Sequence, residues 1–177
     1  MSQQSRFTSA FRMLSGRSKE SSEMAAQASL APLTTHDIPL LEELEFVTRL
    51  AFWGAENYRK FLEECPEYFG IKAVLQYDIH FGRLAGFVLS RSLFENLEVL
   101  KLGVHPEFHR RGVGTVLMES AYKEGIRRGC RRCFLEVRKS NLGAIQFYER
   151  HRFRIAGTRV NYYTDPVEDA WIMERAL

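Results

Sequence analysis

The stretch V-H-P-E-F-H-R-R-G-V-G-T, residues Val104–Thr115, decides the fold of this chain. An apolar run ends at Val104, a turn follows at His105-Pro106, and a basic, glycine-containing loop then opens a helical pattern. A strand, a glycine-rich turn and a helix in this order present free backbone N–H groups to a phosphate. The loop lacks the Lys-Ser/Thr pair of a Walker loop and has too few glycines for the dinucleotide fingerprint. The segment therefore predicts a pyrophosphate cradle of another kind.

Length and composition favour one globular domain behind a tail. The chain has 177 residues, of which 45% are hydrophobic, an ordinary share for a globular protein. Residues 1–27 hold too few apolar side chains to order themselves, so we predict a flexible tail followed by a single domain, residues 28–177. No apolar run approaches the ~18 residues of a membrane span, and the N-terminus lacks the apolar segment of a secretory signal. We expect a cytoplasmic protein with no membrane partner.

The three cysteines indicate a reducing compartment, because an odd and low count does not suit a disulfide framework. Cys130 and Cys133 have the C-x-x-C spacing. A zinc site needs a second such pair, and a redox pair needs a helix N-terminus. We therefore predict no metal site.

Basic residues crowd between Arg110 and Lys139, although the net charge of the chain is only +3. A nucleic-acid binder would use such a cluster and would show steep salt dependence. A solvated basic face, or a polyanionic cofactor beside the glycine loop, explains the cluster better. We expect no nucleic-acid partner.

The apolar periodicity predicts a mixed sheet flanked by helices, in the order β-α-α-β-β-β-α-β-α-β-β, which is an α/β fold class. Predicted strands cover residues 30–33, 71–77, 84–90, 97–104, 132–137, 154–161 and 170–174. Predicted helices run from the cap residues 34–37 to about 50, over 56–64, over 112–129, and from a cap at Ser140 or Asn141 to about residue 150. Gly129 is the predicted C-terminal cap of the third helix.

An ordered series of motifs in the second half of the chain resembles the GNAT family of acetyl-CoA-dependent N-acetyltransferases. His109–Gly114 resembles the family's Q/R-x-x-G-x-G/A pyrophosphate loop, with His109 where Gln or Arg is usual. The motifs that follow are Leu135-Glu136-Val137-Arg138, Ser140-Asn141, Ala144-Ile145, Phe147-Tyr148-Glu149, Phe153, Asn161-Tyr162-Tyr163 and Glu168-Asp169-Ala170. The series is most similar to that of the ribosomal-protein-alanine N-acetyltransferases, which acetylate a protein N-terminus. The resemblance implies the GNAT fold, a central mixed β-sheet in which two parallel strands, Leu97–Val104 and Arg132–Val137, splay apart.

The same resemblance implies acetyl-CoA as co-substrate. Backbone groups of Leu102, Gly103 and Val104 would hold the acetyl arm, with the Val104 N–H as the donor to the oxyanion. Asn141 would touch the pantetheine. The pyrophosphate cradle would consist of Arg110, Arg111, Gly112, Val113, Gly114 and Thr115.

Glu136 and Tyr148 correspond to the general base and the general acid of the subfamily. Glu136 lies in an apolar strand, where burial of a carboxyl raises its pKa toward neutrality. The structural alternative for Glu136 is a strand-edge carboxylate paired with Arg138 or another arginine. Tyr148 would protonate the leaving thiolate, and its alternative is a core aromatic on an amphipathic helix.

The acceptor site implied by the resemblance lies between the last hairpin and the loop around Phe52-Trp53. Tyr162, Tyr163, Glu168 and Asp169 would hold the incoming peptide, and an acidic pair suits a cationic amine. The alternative for the acidic pair is an ordinary polar turn.

An α-amine, with a pKa of about 8, is more easily neutralised than lysine at about 10.4. We therefore expect acetyl transfer to a protein or peptide N-terminus, for example that of a small-subunit ribosomal protein. The alternatives are a small-amine acetyltransferase and a non-catalytic acetyl-CoA-binding module.

Overall fold

The computed structural model describes residues 28–76 and 82–177, which form one seven-stranded sheet covered by helices. The strands are β1 (Ala28–Pro32), β2 (Tyr68–Gln76), β3 (Gly82–Leu93), β4 (Asn96–Val104), β5 (Arg132–Arg138), β6 (Arg154–Thr164) and β7 (Val167–Ala176). The helices are α1 (Ile38–Thr48), α2 (Gly54–Glu63), α3 (Val113–Arg127) and α4 (Leu142–Arg150). The predicted tail, residues 1–27, lies outside the described residues.

The strand order is β1-β2-β3-β4-β5-β7-β6. Across residues 28–76 and 82–177, β4 and β5 are the parallel pair, and the other neighbours are antiparallel. The crossover from β4 to β5 runs through α3, as a parallel connection requires. The predicted mixed α/β sheet and its element order are confirmed.

Neighbouring residues of β3 separate two apolar cores, because side chains alternate across a strand. Val88 packs in a core with Leu117 of α3 and Tyr148 of α4. Phe87 packs in a second core with Leu41 of α1 and Tyr58 of α2. The sheet therefore carries α3 and α4 on one face and α1 and α2 on the other.

Positive φ angles mark the ends of three helices, and the first is α1, which Arg49 follows with a φ of 55°. Gly129 has a φ of 88° just beyond the end of α3, as predicted for its C-terminal cap. Arg152 follows α4 with a φ of 64°. The chain therefore makes the left-handed helix end with an arginine at a position where glycine would cost less strain.

The last hairpin is longer than the sequence predicts. The predicted strands stop at Asn161 and start again at Ala170, whereas β6 continues to Thr164 and β7 begins at Val167. Asn161 has a φ of 51°, which normally ends a strand. Here the strand continues because the register shifts between Arg159 and Tyr163, so a bulge absorbs the irregular residue.

The cysteines are free thiols, and Cys130 and Cys133 are buried. Burial raises the pKa of Cys133 to about 12, so this thiol stays protonated near neutral pH. Within the described ranges, no helix combines the length and the apolar character needed to cross a membrane.

Candidate active site

The two parallel strands part halfway along their length. Their pairing runs from Asn96 opposite Arg132 to Val99 opposite Leu135 and then stops. Beyond that point β4 stays paired with β3, and β5 stays paired with β7 as far as Arg138. The ends of β4 and β5 therefore diverge and leave a V-shaped gap in the sheet, which confirms the predicted splay.

A bulge explains where the gap opens. Lys101 faces Leu89 of β3, but the next pair joins Val99 to Ser90, so Leu100 is an extra residue in β4. A bulge bends its own strand and increases the local twist. The bend begins directly after Val99, the last residue of β4 that pairs with β5.

Register decides which backbone groups of β4 face the gap. Val104 pairs with Gly86, and the following N–H, that of His105, donates to the Ala85 carbonyl at 2.8 Å. This pattern flanks a pair without mutual hydrogen bonds, so the N–H and C=O of Val104 point away from β3. The C=O lies 2.8 Å from His109 Nε2, and the N–H faces the gap. By alternation the backbone groups of Leu102 also face the gap.

Gly103 is predicted to contact the acetyl arm through its backbone, but in the structure its backbone faces β3. Alternation turns its N–H and C=O toward β3, where it pairs with Phe87. A Cβ at this position would lie 2.9 Å from Phe87 Cε1 and 3.1 Å from Leu50 Cδ1. Packing on the α1 face therefore requires glycine here, and Leu102 and Val104 remain as the residues whose backbone could hold an acetyl arm.

The basic loop turns sharply into α3. Arg110 and Gly112 have φ angles of 59° and 80°, and Gly112 is the N-cap of the helix. The first intrahelical bond runs from Val116 N–H to the Gly112 carbonyl at 3.0 Å. The N–H groups of residues 113–115 precede that bond and are the orphan donors that a helix N-terminus offers to an anion.

Gly114 allows α4 and the end of β4 to approach the start of α3 closely. A Cβ there would lie 3.3 Å from Phe147 Cζ and 3.7 Å from Val104 Cγ2, so the helix start, α4 and the end of β4 meet at this point. The side chain of Val113 is buried in the core, and it anchors the helix start rather than facing a ligand. Open donors beside a glycine fit a pyrophosphate, and Arg110 and Arg111 add positive charge next to it.

Thr115 connects this loop to a basic cavity. Its hydroxyl lies 3.3 Å from His151 Nε2. Burial lowers the pKa of His151, so its ring is neutral near pH 7. The cavity has a volume of about 490 Å³ and is lined by Thr115, Glu119, Tyr122, Arg150, His151, Arg152 and Arg175. Sequence reasoning missed His151, because its contact depends on how α4 packs against α3.

Two predicted residues belong to the start and the body of α4, since Asn141 is its N-cap and Tyr148 lies within it. The Asn141 side-chain oxygen caps the helix by accepting from the Ala144 N–H at 3.1 Å, which leaves the amide nitrogen as a donor for other partners. Tyr148 is 9% exposed, and its ring packs edge-on against Phe147 and Phe153. Burial raises the pKa of the Tyr148 hydroxyl, so it remains protonated near neutral pH.

Glu136 is not in the apolar setting that the sequence predicts. Its side chain is 25% exposed, and its carboxylate forms an ion pair with the Arg159 guanidinium of β6. The Tyr162 hydroxyl lies beside the same carboxylate, and burial together with this neighbour raises the pKa of Tyr162 to about 12. The structural alternative for Glu136 requires an arginine partner. Arg159 of β6 is that partner and reaches across β7, which lies between β5 and β6 in the sheet.

The tyrosines of the last hairpin lie next to both catalytic candidates. The rings of Tyr162 and Tyr163 are 5.1 Å apart and nearly perpendicular. Tyr162 lies beside Glu136, while Tyr163 is close enough to Tyr148 to raise its pKa. Four of the predicted site residues therefore meet beside the gap.

Glu168 has partners of its own. Its carboxylate accepts from Arg138 at 3.1 Å and from the Ser140 N–H at 2.6 Å. Asp169 accepts from Lys139 at 2.9 Å and from the Asn161 N–H at 3.0 Å. The acidic pair thus ties the loop after β5 to the last hairpin, and its charge is matched by cations of this chain.

Comparisons with known proteins agree with this geometry. The model of the acetyltransferase (GNAT) family matches residues 38–153. The chain is 30% identical over 147 residues to the ribosomal protein bS18-alanine N-acetyltransferase of Escherichia coli strain K12, which is 82% of this chain and 95% of the relative. It is 29% identical over 134 residues to an N-alpha-acetyltransferase of Saccharolobus solfataricus, which is 65% of this chain and 80% of the relative.

Solved structures show the same fold. The crystal structure of the ribosomal-protein-S18-alanine N-acetyltransferase from E. coli superposes with a TM-score of 0.73 at 30% identity, over 84% of this chain and 93% of that one. NAA60 of Arabidopsis thaliana in complex with acetyl-CoA gives a TM-score of 0.74 at 20% identity, over 85% of this chain and 98% of that one, and shows likeness of fold alone.

Proposed function

The chain belongs to the acetyltransferase (GNAT) family, and from that premise we propose that it transfers the acetyl group of acetyl-CoA to the N-terminal α-amine of a protein. The observation that carries this proposal is the gap between β4 and β5, which has helix-end donors at one side and Glu136, Tyr148, Tyr162 and Tyr163 at the other. Relatives named for acetylating a ribosomal protein alanine support a ribosomal protein as acceptor.

When bound, acetyl-CoA supplies an activated acetyl thioester. The orphan N–H groups of Val113, Gly114 and Thr115 hold the pyrophosphate, with Arg110 and Arg111 flanking it. The backbone groups of Leu102 and the N–H of Val104 hold the arm in the gap, and the Asn141 amide donates to it. The Val104 N–H points into the gap, where it donates to the oxyanion that forms during transfer, a contribution of about 3 kcal/mol to the barrier.

Glu136 accepts the proton that the acceptor amine loses as it attacks, directly or through one water. Arg159 and Tyr162 fix the orientation of its carboxylate. Tyr148, kept protonated by burial, donates its proton to the leaving sulfur. These roles divide proton removal and proton delivery between β5 and α4.

Tyr162 and Tyr163 form the acceptor wall on the hairpin side, since β6 presents them beside Glu136. Glu168 and Asp169, predicted to hold the amine, instead support this wall through Arg138 and Lys139. The loop at Phe52-Trp53 provides the opposite wall. Location in the cytoplasm stays a prediction from the sequence.

The test is thiol release from acetyl-CoA with a panel of peptides bearing free N-termini and a panel of small amines. Turnover that depends on peptides and favours N-terminal alanine is the expected result. Turnover with small amines alone would keep the chemistry and overturn the acceptor. Tight binding of acetyl-CoA without turnover in either panel would show a binding module instead of an enzyme.

A further inference from the structure

A buried ion pair outside the reaction centre joins β4 to α1. The side chains of Lys101 and Glu45 are 4% and 1% exposed and contact each other directly. Lys101 also donates to the Ala51 carbonyl. Glu45 accepts from the Tyr58 hydroxyl at 2.7 Å and from the Trp53 N–H at 3.3 Å. Such a pair is costly to desolvate unless its hydrogen bonds are made, and here both members have further partners.

The bulge at Leu100 puts Lys101 on this face of the sheet. Leu97 and Val99 point into the core under α3. Strict alternation would send Lys101 into the same apolar core. The extra residue reverses the alternation, so Lys101 faces α1 and meets Glu45. One irregularity of β4 therefore both opens the gap and directs this lysine.

The ion pair holds the segment that connects α1 to α2, residues 49–53. Lys101 Nζ lies 4.6 Å from the centre of the Trp53 ring, within the range of a cation–π contact. The Leu50 N–H donates to the Glu45 carbonyl at 3.0 Å, and the Leu50 side chain packs at Gly103 near the end of β4. Between these anchored residues Phe52 is 72% exposed.

We propose that Lys101 is a positioning residue: its ion pair with Glu45 holds residues 49–53 as one wall of the acceptor site, so that Phe52 is presented to the first residues of the acceptor. The proposal rests on the proposed function, because it assigns this wall to a peptide acceptor. Lys101 touches no reacting atom. It acts through Ala51 and Trp53, on the face of the sheet opposite α3 and the pyrophosphate loop.

The test uses a double variant, Lys101→Met with Glu45→Gln, which removes both charges and leaves no unpaired buried charge. The matched control is Lys72→Met with Asp37→Asn, because Lys72 and Asp37 form a partly buried pair that joins β2 to the turn before α1, and this double change also removes both charges. KM and kcat are measured with an N-terminal alanine peptide, and the Kd of acetyl-CoA is measured by calorimetry.

The double variant is expected to raise the peptide KM about tenfold, with kcat and the acetyl-CoA Kd within about twofold of the parent, the signature of lost acceptor binding. The control should leave all three values unchanged. An unchanged peptide KM in the folded double variant overturns the proposal, and so does an equal rise in the control.

A second readout does not depend on turnover. Trp53 and Trp171 are the two tryptophans of the chain, so in a Trp171→Phe background the fluorescence reports on Trp53 alone. Acrylamide quenching of Trp53 should rise at least about twofold when the ion pair is removed, because the ring loses its cationic partner and its backbone anchor. Unchanged quenching shows that the pair does not hold the segment. If the parent protein acetylates no peptide, the proposed function fails while this readout still decides whether the segment is held.

Discussion

At the scale of single residues, Glu136 is the position where a structural and a catalytic interpretation compete. The structure gives it an arginine partner, which the structural interpretation requires, and a tyrosine of the acceptor hairpin, which the catalytic one requires. The ion pair with Arg159 does not exclude a catalytic role for Glu136, because a carboxylate can accept several hydrogen bonds at once. Substitution by the isosteric amide separates the two, since it keeps shape and removes the proton acceptor.

We expect Glu136→Gln to lower kcat with a peptide acceptor by about 100-fold, the range that a positioned general base contributes. Glu174→Gln is the matched control, because Glu174 is also an ion-paired strand carboxylate, with a side chain 24% exposed beside Arg154 against 25% for Glu136. Steady-state kinetics across pH 6–9 with both variants checks this. Equal losses in the two variants would assign Glu136 a structural role only.

At the scale of elements, the glycine loop and the start of α3 could be predicted because their signal is local. A turn, a cap and an apolar period lie within one short stretch of sequence, and the structure has them at the expected places. The partners of Glu136 and Lys101 could not be predicted in the same way. They depend on bulges in β6 and β4, and a bulge changes register without leaving a pattern in the sequence.

The position of Gly114 at the start of α3 leads to a prediction about CoA binding. We expect Gly114→Ala to weaken CoA binding about tenfold, or ~1.4 kcal/mol, because a methyl group 3.3 Å from Phe147 Cζ pushes Phe147 and α4 away from the start of α3. Global stability should not fall, because alanine favours a helix more than glycine does. Calorimetry with CoA and urea unfolding measure the two effects separately.

The control for this substitution is Gly157→Ala on β6. A Cβ at Gly157 would meet Ile172 Cδ1 at 3.6 Å, an ordinary contact, so CoA affinity should stay as it is in the parent. If Gly114→Ala binds CoA with unchanged affinity, the start of α3 is not part of the cofactor site. This result would leave the fold assignment untouched, because that assignment rests on the sheet.

At the scale of the whole molecule, the sheet has its shortest strand pairing at the candidate active site, between β4 and β5. β4 and β5 share a short paired segment, so the two halves of the sheet depend on the helices for cohesion. Arg128 at the end of α3 ties this helix to the β2 side of the sheet, since it donates to the Pro66 carbonyl at 2.8 Å before β2. Glu124 holds both Arg128 and Arg127 at 2.7 Å, which orients the end of α3 against the outer strands.

The ion pairs of Glu124 with Arg127 and Arg128 predict how acid destabilises the protein. Hydrogen bonds from Arg127 and then Arg128 lower the pKa of Glu124 from 4.5 to about 2. A carboxyl whose folded pKa is depressed stabilises the fold above its unfolded pKa, and the contribution is lost as pH falls toward the folded pKa. Glu124→Gln should therefore lower the free energy of unfolding by about 1 kcal/mol at pH 7, and the difference from the parent should shrink between pH 4.5 and pH 2.

Urea unfolding of parent and variant at pH 7, 4 and 3 measures that difference. Glu56→Gln is the control, because Glu56 pairs with Arg59 on the surface of α2 with a side chain 89% exposed, and such pairs contribute little. The control should differ from the parent by less than about 0.5 kcal/mol at every pH. A difference for Glu124→Gln that stays constant from pH 7 to pH 3 would mean that the carboxylate charge does not hold α3 to the outer strands. The loss of stability in acid would then come from the other ion-paired carboxylates whose pKa is lowered, which are Asp37 beside Lys72, Glu168 beside Arg138 and Asp169 beside Lys139.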